Sequence, residues 1–295
     1  MNRICVILNP AARSERARQM KETVRKLAQG ATIRLTEGPG DAEAQAERAV
    51  QQGFDVVVAA GGDGTINEVV NGLEEAKGKV ALGILPIGSV NVFAMELGIP
   101  SQVEKAWEVI EAGQVRRVDL ASANGHRFVQ LAGVGLDAQI VERTSWETKK
   151  LLGPLSYILT ATQMLTQKPP KIVVRPEGGK AVTGSFVLIG NGRFYGGPFS
   201  IFQKADIEDG LLDVCVFQQL NPLAMVRYVQ GILTGSHTKL PDVRYFQSAR
   251  VVVESEEKVP IEVDGELLGC LPCEFRVQRR ALRVLVPVRG GKVKE

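Results

Sequence analysis

The chain has 295 residues, with 36 Lys+Arg against 33 Asp+Glu for a formal net charge of +3, and is 44% hydrophobic and 23% charged. That balance excludes a disordered chain, a collagen-like repeat and a disulfide miniprotein, and the length slightly favours two domains over one. So small a net charge does not by itself mark a nucleic-acid binder.

In chain order, Ile4–Leu8 is a short apolar run closed by Asn9-Pro10, and Ala31–Leu35, Asp55–Ala60 and Val80–Leu85 repeat the pattern. Runs this short between turn residues predict buried strands. Between them Ser14–Gln29, Asp41–Gln52 and Thr65–Leu73 have helical spacing; in the first, Ala17, Met20, Val24, Leu27 and Ala28 share a face. Ser101 and Glu104, after Pro100, form a capping-box pattern that predicts a helix running to Ala112. Alternating strands and helices predict a parallel sheet, so residues 1–115 are expected to form an open, doubly wound α/β domain.

From residue 116 the pattern changes. Asn124-Gly125 joins Val118–Ala123 to Arg127–Ala132, and Gly178-Gly179 joins Lys171–Arg175 to Ala181–Ile189. These turn dipeptides predict antiparallel hairpins. Further strands are expected at Leu211–Phe217, Arg250–Glu254, Val259–Val263, Glu274–Val277 and Leu282–Val286, with helices near Trp146–Thr166 and Pro222–Leu233. Residues 116–295 are therefore expected to form a mostly β domain, an antiparallel sandwich, with about the last ten residues returning to the first domain.

Cys5, Cys215, Cys270 and Cys273 are too few and too scattered for a disulfide framework and imply a reducing compartment. Cys270 and Cys273 have the spacing of half a zinc site, but only His126 and His237 stand elsewhere to complete it, so zinc is not expected. The apolar run at the N-terminus is shorter than that of a signal peptide. Leu151–Gln167, the longest uncharged run, is broken by Gly153 and Pro154 and falls short of the roughly 20 apolar residues of a spanning helix. It predicts either a core stripe or, flanked by Lys149, Lys150 and Lys168, a surface that meets a membrane transiently. The C-terminal stretch carries Arg276, Arg279, Arg280, Arg283, Arg289, Lys292 and Lys294, either a solvated edge or a face for an anionic surface.

The sharpest local feature is Gly61-Gly62-Asp63-Gly64-Thr65-Ile66-Asn67-Glu68, directly after one predicted strand and opening the next helix. Ligands of open α/β sheets sit beyond the carboxyl ends of strands, where glycines admit a phosphate and helix N-terminal amides attract it. The plain alternative is a tight turn with a Thr65–Glu68 capping box. Asn67 stands where a dinucleotide-binding string has its third glycine, and neither the Walker pattern nor the protein-kinase triplets occur. The turns Asn9–Ser14 and Leu85–Asn91, with Thr36 after the second strand, fall at the same sheet edge.

Six strings in order carry a resemblance over nearly the whole chain: Asn9-Pro10, Gly61–Asn67, Leu85–Asn91, Gly190–Gly197, Asp209-Gly210-Leu211-Leu212-Asp213 and Asp264-Gly265-Glu266. The sequence resembles the diacylglycerol kinase catalytic family of bacterial lipid kinases, related to sphingosine and ceramide kinases and more distantly to NAD kinases.

The resemblance implies a cytoplasmic, membrane-peripheral enzyme that uses ATP and Mg²⁺ to phosphorylate a lipid hydroxyl, of diacylglycerol or a sphingoid-like lipid. ATP contacts carry over to Asn9, Pro10, Ala11, Ala12, Arg13, Thr36, Gly61, Gly62, Asp63, Gly64, Thr65, Ile66, Asn67 and Ser89. Glu266 falls on the proton acceptor with Asp264 beside it, and a metal position falls on Asp206, Asp209 and the Leu211 carbonyl. Expected partners are the lipid substrate, a transient membrane surface and a second copy of the chain, with no nucleic acid. Two positions depart from the pattern: Val92 replaces an acid found in many relatives, and Ala11-Ala12-Arg13 lacks a loop glycine. A soluble-substrate kinase of the NAD-kinase type and a non-catalytic nucleotide binder stand as alternatives. For Asp209-Gly210 and Asp264-Gly265, an ordinary hairpin turn is the bland reading.

Overall fold

A computed structural model describes residues 2–10, 22–136, 138 and 169–288. The chain divides into two compact units, one containing the chain up to Leu120, Gly196–Pro198 and the segment from Arg279, the other Ala121–Tyr195 and Phe199–Gln278. The expected helix at Ser14–Gln29 lies within the described residues only from residue 22. The segment Leu151–Gln167, with Lys149, Lys150 and Lys168, lies outside them, as do Ala11, Ala12, Arg13 and the tail from residue 289.

The first unit is built on a parallel sheet in the order β2 (Thr32–Leu35), β1 (Ile4–Leu8), β3 (Val56–Gly61), β4 (Ala81–Pro86). Every residue of β3 and β4 is buried. A parallel sheet is covered on both faces by its crossovers, which is why these strands read as unbroken apolar runs. Its described helices are α1 over residues 22–27, α2 (Asp41–Gln51), α3 (Asp63–Gly72), α4 (Val92–Glu96) and α5 (Val103–Ala112), and all but the short α4 were expected from the sequence.

Neither the predicted Ser101–Glu104 capping box nor the alternative Thr65–Glu68 box forms. The residue preceding α3 is Gly62 and that preceding α5 is Gln102, and neither helix has a side-chain cap. The Glu68 carboxylate instead accepts from the amides of Gly40 and Ala42, both at 3.0 Å, and so caps the neighbouring helix α2. A tertiary partner has taken over a group that sequence spacing assigned locally.

In the second unit an antiparallel sheet runs in the order β14 (Val243–Ser248), β13 (Leu212–Phe217), β10 (Phe186–Gly190), β7 (Leu131–Val134), β16 (Pro260–Val263), β17 (Glu266–Cys270). Here too both faces are buried, and β13 shows how. Leu212, Val214 and Val216 enter a core shared with Ile172, Val251 and Phe275, while Cys215 and Phe217 enter a second core under α6 (Pro222–Leu233). In the second core Phe186 and Phe217 stack at 4.3 Å between centroids, and Tyr228 of α6 meets Phe217 edge-on at 4.9 Å. The first core is closed by β8 (Ile172–Pro176), β9 (Val182–Gly184) and β15 (Arg250–Ser255). Asn124 and Gly125, at φ 49° and 91°, turn β5 (Val115–Ala123) into β6 (His126–Phe128) as the dipeptide predicts.

Two expected strands, Glu274–Val277 and Leu282–Val286, are one: β18 spans Cys273–Leu285. Their apparent separation reflects the polar run Gln278-Arg279-Arg280, where Arg280 takes a φ of 53° and its amide donates to the buried Asp119 carboxylate at 2.6 Å. The outer strands of the six-stranded sheet, β14 and β17, were not expected, because they carry polar residues and lack a clean apolar run. No helix among the described residues is long and apolar enough to cross a membrane.

Candidate functional site

In the first unit the turns that follow β1, β3 and β4 are wired together. Asn9 at the end of β1 donates through Nδ2 to Thr65 Oγ1 on α3 at 3.0 Å. The Gly61 carbonyl accepts from the amides of Ile87 and Gly88 at 3.0 and 3.1 Å. Thr36, buried just past β2, donates its amide to the Leu8 carbonyl at 3.0 Å. Thus Asn9, Thr36, Gly61, Thr65 and the Gly88 turn gather at the carboxyl ends of the strands, where the alternation of elements places a ligand site. Pro10 continues the β1 turn, Ser89 is exposed on the β4 turn, and Ile66 and Asn67 are buried in α3.

Asp63 has a role that its spacing did not reveal. Its two carboxylate oxygens accept from the backbone amides of Asn91, at 3.0 Å, and Val92, at 2.7 Å, pinning the β4 turn to the start of α3. This acid of the glycine string therefore has a structural occupation that needs no metal. Position 92 takes part through its amide, a contact that valine makes as well as aspartate would.

The glycines here serve close approach. A Cβ on Gly88 would lie 2.4 Å from Gly62 Cα, and one on Gly61 would lie 2.4 Å from Thr65 Oγ1. Gly88→Ala is expected to force the two turns apart, costing about 1–3 kcal/mol of stability in a urea melt and raising the nucleotide Kd. An unchanged melt and Kd would show that the turns have slack.

In the second unit Asp264-Gly265 is a two-residue hairpin turn between β16 and β17, with φ 47° and 90° and Val263 opposite Glu266. The backbone is the ordinary one, but the side chain is not idle. Asp264 accepts from the amides of Val129, Gln130 and Leu131 at 2.8, 3.0 and 3.1 Å. Asn191, buried in the predicted Gly190–Gly197 string, binds the same segment: its amide donates to the Gln130 carbonyl at 2.8 Å and its Nδ2 to Val129 O at 3.0 Å. The buried Glu262 accepts from the Gly265 amide at 2.7 Å. Glu266, first residue of β17, is exposed on this braced turn. Gln130 and Glu262 were not singled out from sequence, whereas Asn191 stood in the Gly190–Gly197 string.

Asp206 and Asp209 lie on the loop before β13, each accepting a local amide: Asp206 from Glu208 at 3.0 Å and Asp209 from Leu211 at 2.8 Å. Gln247 Nε2 bridges Asp209 and the fully buried Asp213 at 3.3 Å each, and Tyr245 donates its hydroxyl to Asp213. Burial pushes the Asp213 carboxyl above its ordinary pKa against those two donors, and the charge of Asp209 adds to the rise. Among the described residues no three His, Cys, Asp or Glu side chains converge as a ready-made metal cage. The hard oxygen donors of Asp206, Asp209 and the Leu211 carbonyl nonetheless suit Mg²⁺, which completes its shell with water.

Comparison with known proteins gives a consistent picture. Residues 3–123 match the model of the diacylglycerol kinase catalytic domain, and residues 130–286 that of the YegS C-terminal NAD kinase beta sandwich-like domain. The chain is 32% identical over 294 residues to a diacylglycerol kinase of Bacillus subtilis (strain 168), covering 97% of each chain. It is 32% identical over 289 residues to one of Staphylococcus aureus (strain bovine RF122 / ET3-1), covering 96% of this chain and 91% of the other. A crystal structure of a diacylglycerol kinase from Bacillus anthracis str. Sterne shares the fold with a TM-score of 0.77 at 24% identity, covering 97% of both chains. Another crystal structure, of a protein from that organism, shares the fold with a TM-score of 0.83 at 24% identity, covering 97% of this chain and 95% of the other.

Proposed function

The chain belongs to the diacylglycerol kinase family and is a lipid kinase, and from that premise we propose that it transfers the γ-phosphoryl group of ATP, with Mg²⁺, to the hydroxyl of diacylglycerol or a sphingoid-like lipid. The observation that carries this reading is the set of interlocked turns at the carboxyl ends of β1, β3 and β4, facing a helix, α3, that begins without a side-chain cap. Uncapped first-turn amides attract phosphate oxygens. Asn91 Oδ1 on the same turns is buried without a hydrogen-bond partner, an acceptor suited to a ligand hydroxyl or amine.

The reaction needs a carboxylate to take the proton of the attacking hydroxyl and fixed donors to keep the γ-phosphoryl in line. The lipid oxygen forms a bond to the γ-phosphorus, the bond from that phosphorus to the β–γ bridging oxygen breaks, ADP leaves, and the hydroxyl proton passes to Glu266. Asp264 fixes the turn that presents Glu266, and Asp63 fixes the β4 turn beside the phosphates. A magnesium ion held by Asp206, Asp209 and the Leu211 carbonyl would supply positive charge near the acidic loop and relieve the repulsion between Asp209 and Asp213.

The test is label transfer from γ-labelled ATP with Mg²⁺ to diacylglycerol, monoacylglycerol, a sphingoid base and phosphatidylglycerol in mixed micelles, with NAD as a soluble control. Label is expected in diacylglycerol or the sphingoid base and absent from NAD. Label in NAD alone would overturn the lipid assignment.

A further inference from the structure

The second unit presents an apolar surface that packing within it leaves uncovered. On α6, Ala224, Tyr228 and Gly231 face the core, while Leu223, Val226 and Leu233 are 77%, 63% and 63% exposed. At about 100° per residue these three, with Gln230 between them, occupy roughly 80° of arc on one side of the helix. They are the most exposed large hydrophobics among the described residues, and they share a single 12-residue helix. Such a stripe is distinct from the scattered apolar residues that any surface carries.

The helix itself carries no acid. Between Asp213 and Asp242 the sequence has no Asp or Glu. Asp242 itself is buried, accepting from the Tyr228 hydroxyl at 2.7 Å and paired with Arg227. Beside the C-terminal end of α6, a pocket of about 310 Å³ is lined by Gln203, Lys204, Thr238, Val243, Arg244 and Tyr245, with no acid in the lining. Gln203 donates to the Gly235 carbonyl, which ties this pocket to the turn that ends α6. Lys204, Lys239 and Arg244 are exposed there.

We propose that the outward face of α6 docks this chain onto an anionic bilayer, with Leu223, Val226 and Leu233 entering the boundary between headgroups and acyl chains and the Lys204–Arg244 pocket taking a lipid phosphate. The proposal rests on the lipid-kinase reading only in that the acceptor resides in a bilayer. An amphipathic helix lying in the interface binds through apolar area on one face and cations beside it, and α6 with its pocket has both.

The experiment is cosedimentation of the full chain with vesicles of phosphatidylcholine alone or mixed with phosphatidylglycerol. Wild type is expected to bind the mixed vesicles more tightly. Leu223→Gln/Val226→Gln/Leu233→Gln, at positions already in solvent, is expected to fold normally and lose at least about tenfold in partitioning to either vesicle. Lys204→Gln/Arg244→Gln is expected to lose roughly fivefold per charge on anionic vesicles only, an effect that added salt reproduces. Undiminished vesicle binding by the triple variant would overturn the proposal. So would a triple variant that turns a wild-type dimer into a monomer in light scattering while vesicle binding persists, since the face would then serve a second copy. Turnover on a short-chain, water-soluble diacylglycerol separates the two readings. The triple variant is expected to keep it and to lose turnover on vesicle-embedded lipid, whereas a wild type inactive on every lipid would count against the kinase reading and leave the vesicle result standing.

Discussion

Glu266→Gln is expected to lower kcat by about 10²–10⁴-fold, the range for removing a positioned general base, while the nucleotide Kd stays within about twofold. The amide matches the carboxylate in size, and position 266 is the exposed first residue of β17, so the substitution is expected to leave the fold intact. The hydroxyl proton, however, loses its acceptor. Single-turnover transfer to micellar lipid, with nucleotide binding measured separately by calorimetry, checks both halves. A variant within about threefold of wild-type kcat would exclude Glu266 as the base.

Asp264→Ala is expected to be the most destabilising single change on the candidate site. Three amides, of Val129, Gln130 and Leu131, would lose their shared acceptor, and alanine would be held at a φ of 47° that suits Asp, Asn and Gly. Unmade hydrogen bonds and left-handed strain together put the cost at about 3–5 kcal/mol, read as a lower urea midpoint. Asp264→Asn keeps the backbone preference and one acceptor oxygen, so about half that loss is expected. The Asn variant also separates two roles for this acid. If Asp264 positions Glu266, it should retain activity within about tenfold of wild type once folded, well above Glu266→Gln. Should Asp264→Asn instead match the loss of Glu266→Gln while melting like wild type, Asp264 would itself be taking the proton.

The sheet of the first unit was legible because its strands β1, β3 and β4 are buried on both faces and read as plain apolar runs between turn residues; Ile4–Leu8 agrees to the residue. The helix at Pro222–Leu233 was equally plain, since Asn221 caps it by accepting from Ala224 and proline fills its first position. What failed were inferences that gave polar side chains local partners. In the plain alternative for the glycine string Glu68 serves its own helix, yet it caps α2; Ser101 and Glu104 do not cap α5. The long strand β18 was split in two because Gln278-Arg279-Arg280 interrupts the apolar pattern, and there Arg280 takes a left-handed conformation with its amide on Asp119, far off in sequence.

The sequence by itself determined the apolar periodicity, the turn dipeptides and the order of glycine and acid strings, and hence the two architectures and the family. These are local properties, fixed by side-chain size, polarity and backbone preference within a few residues. Which atom each acid serves was decided only by tertiary structure. Asp63 holds the amides of residues 91 and 92, Asp264 those of residues 129–131, and Asp213 is buried against Tyr245 and Gln247. A carboxylate removed from water binds the donors that the fold brings to it, and those donors lie tens to more than a hundred residues away, beyond the reach of any spacing rule.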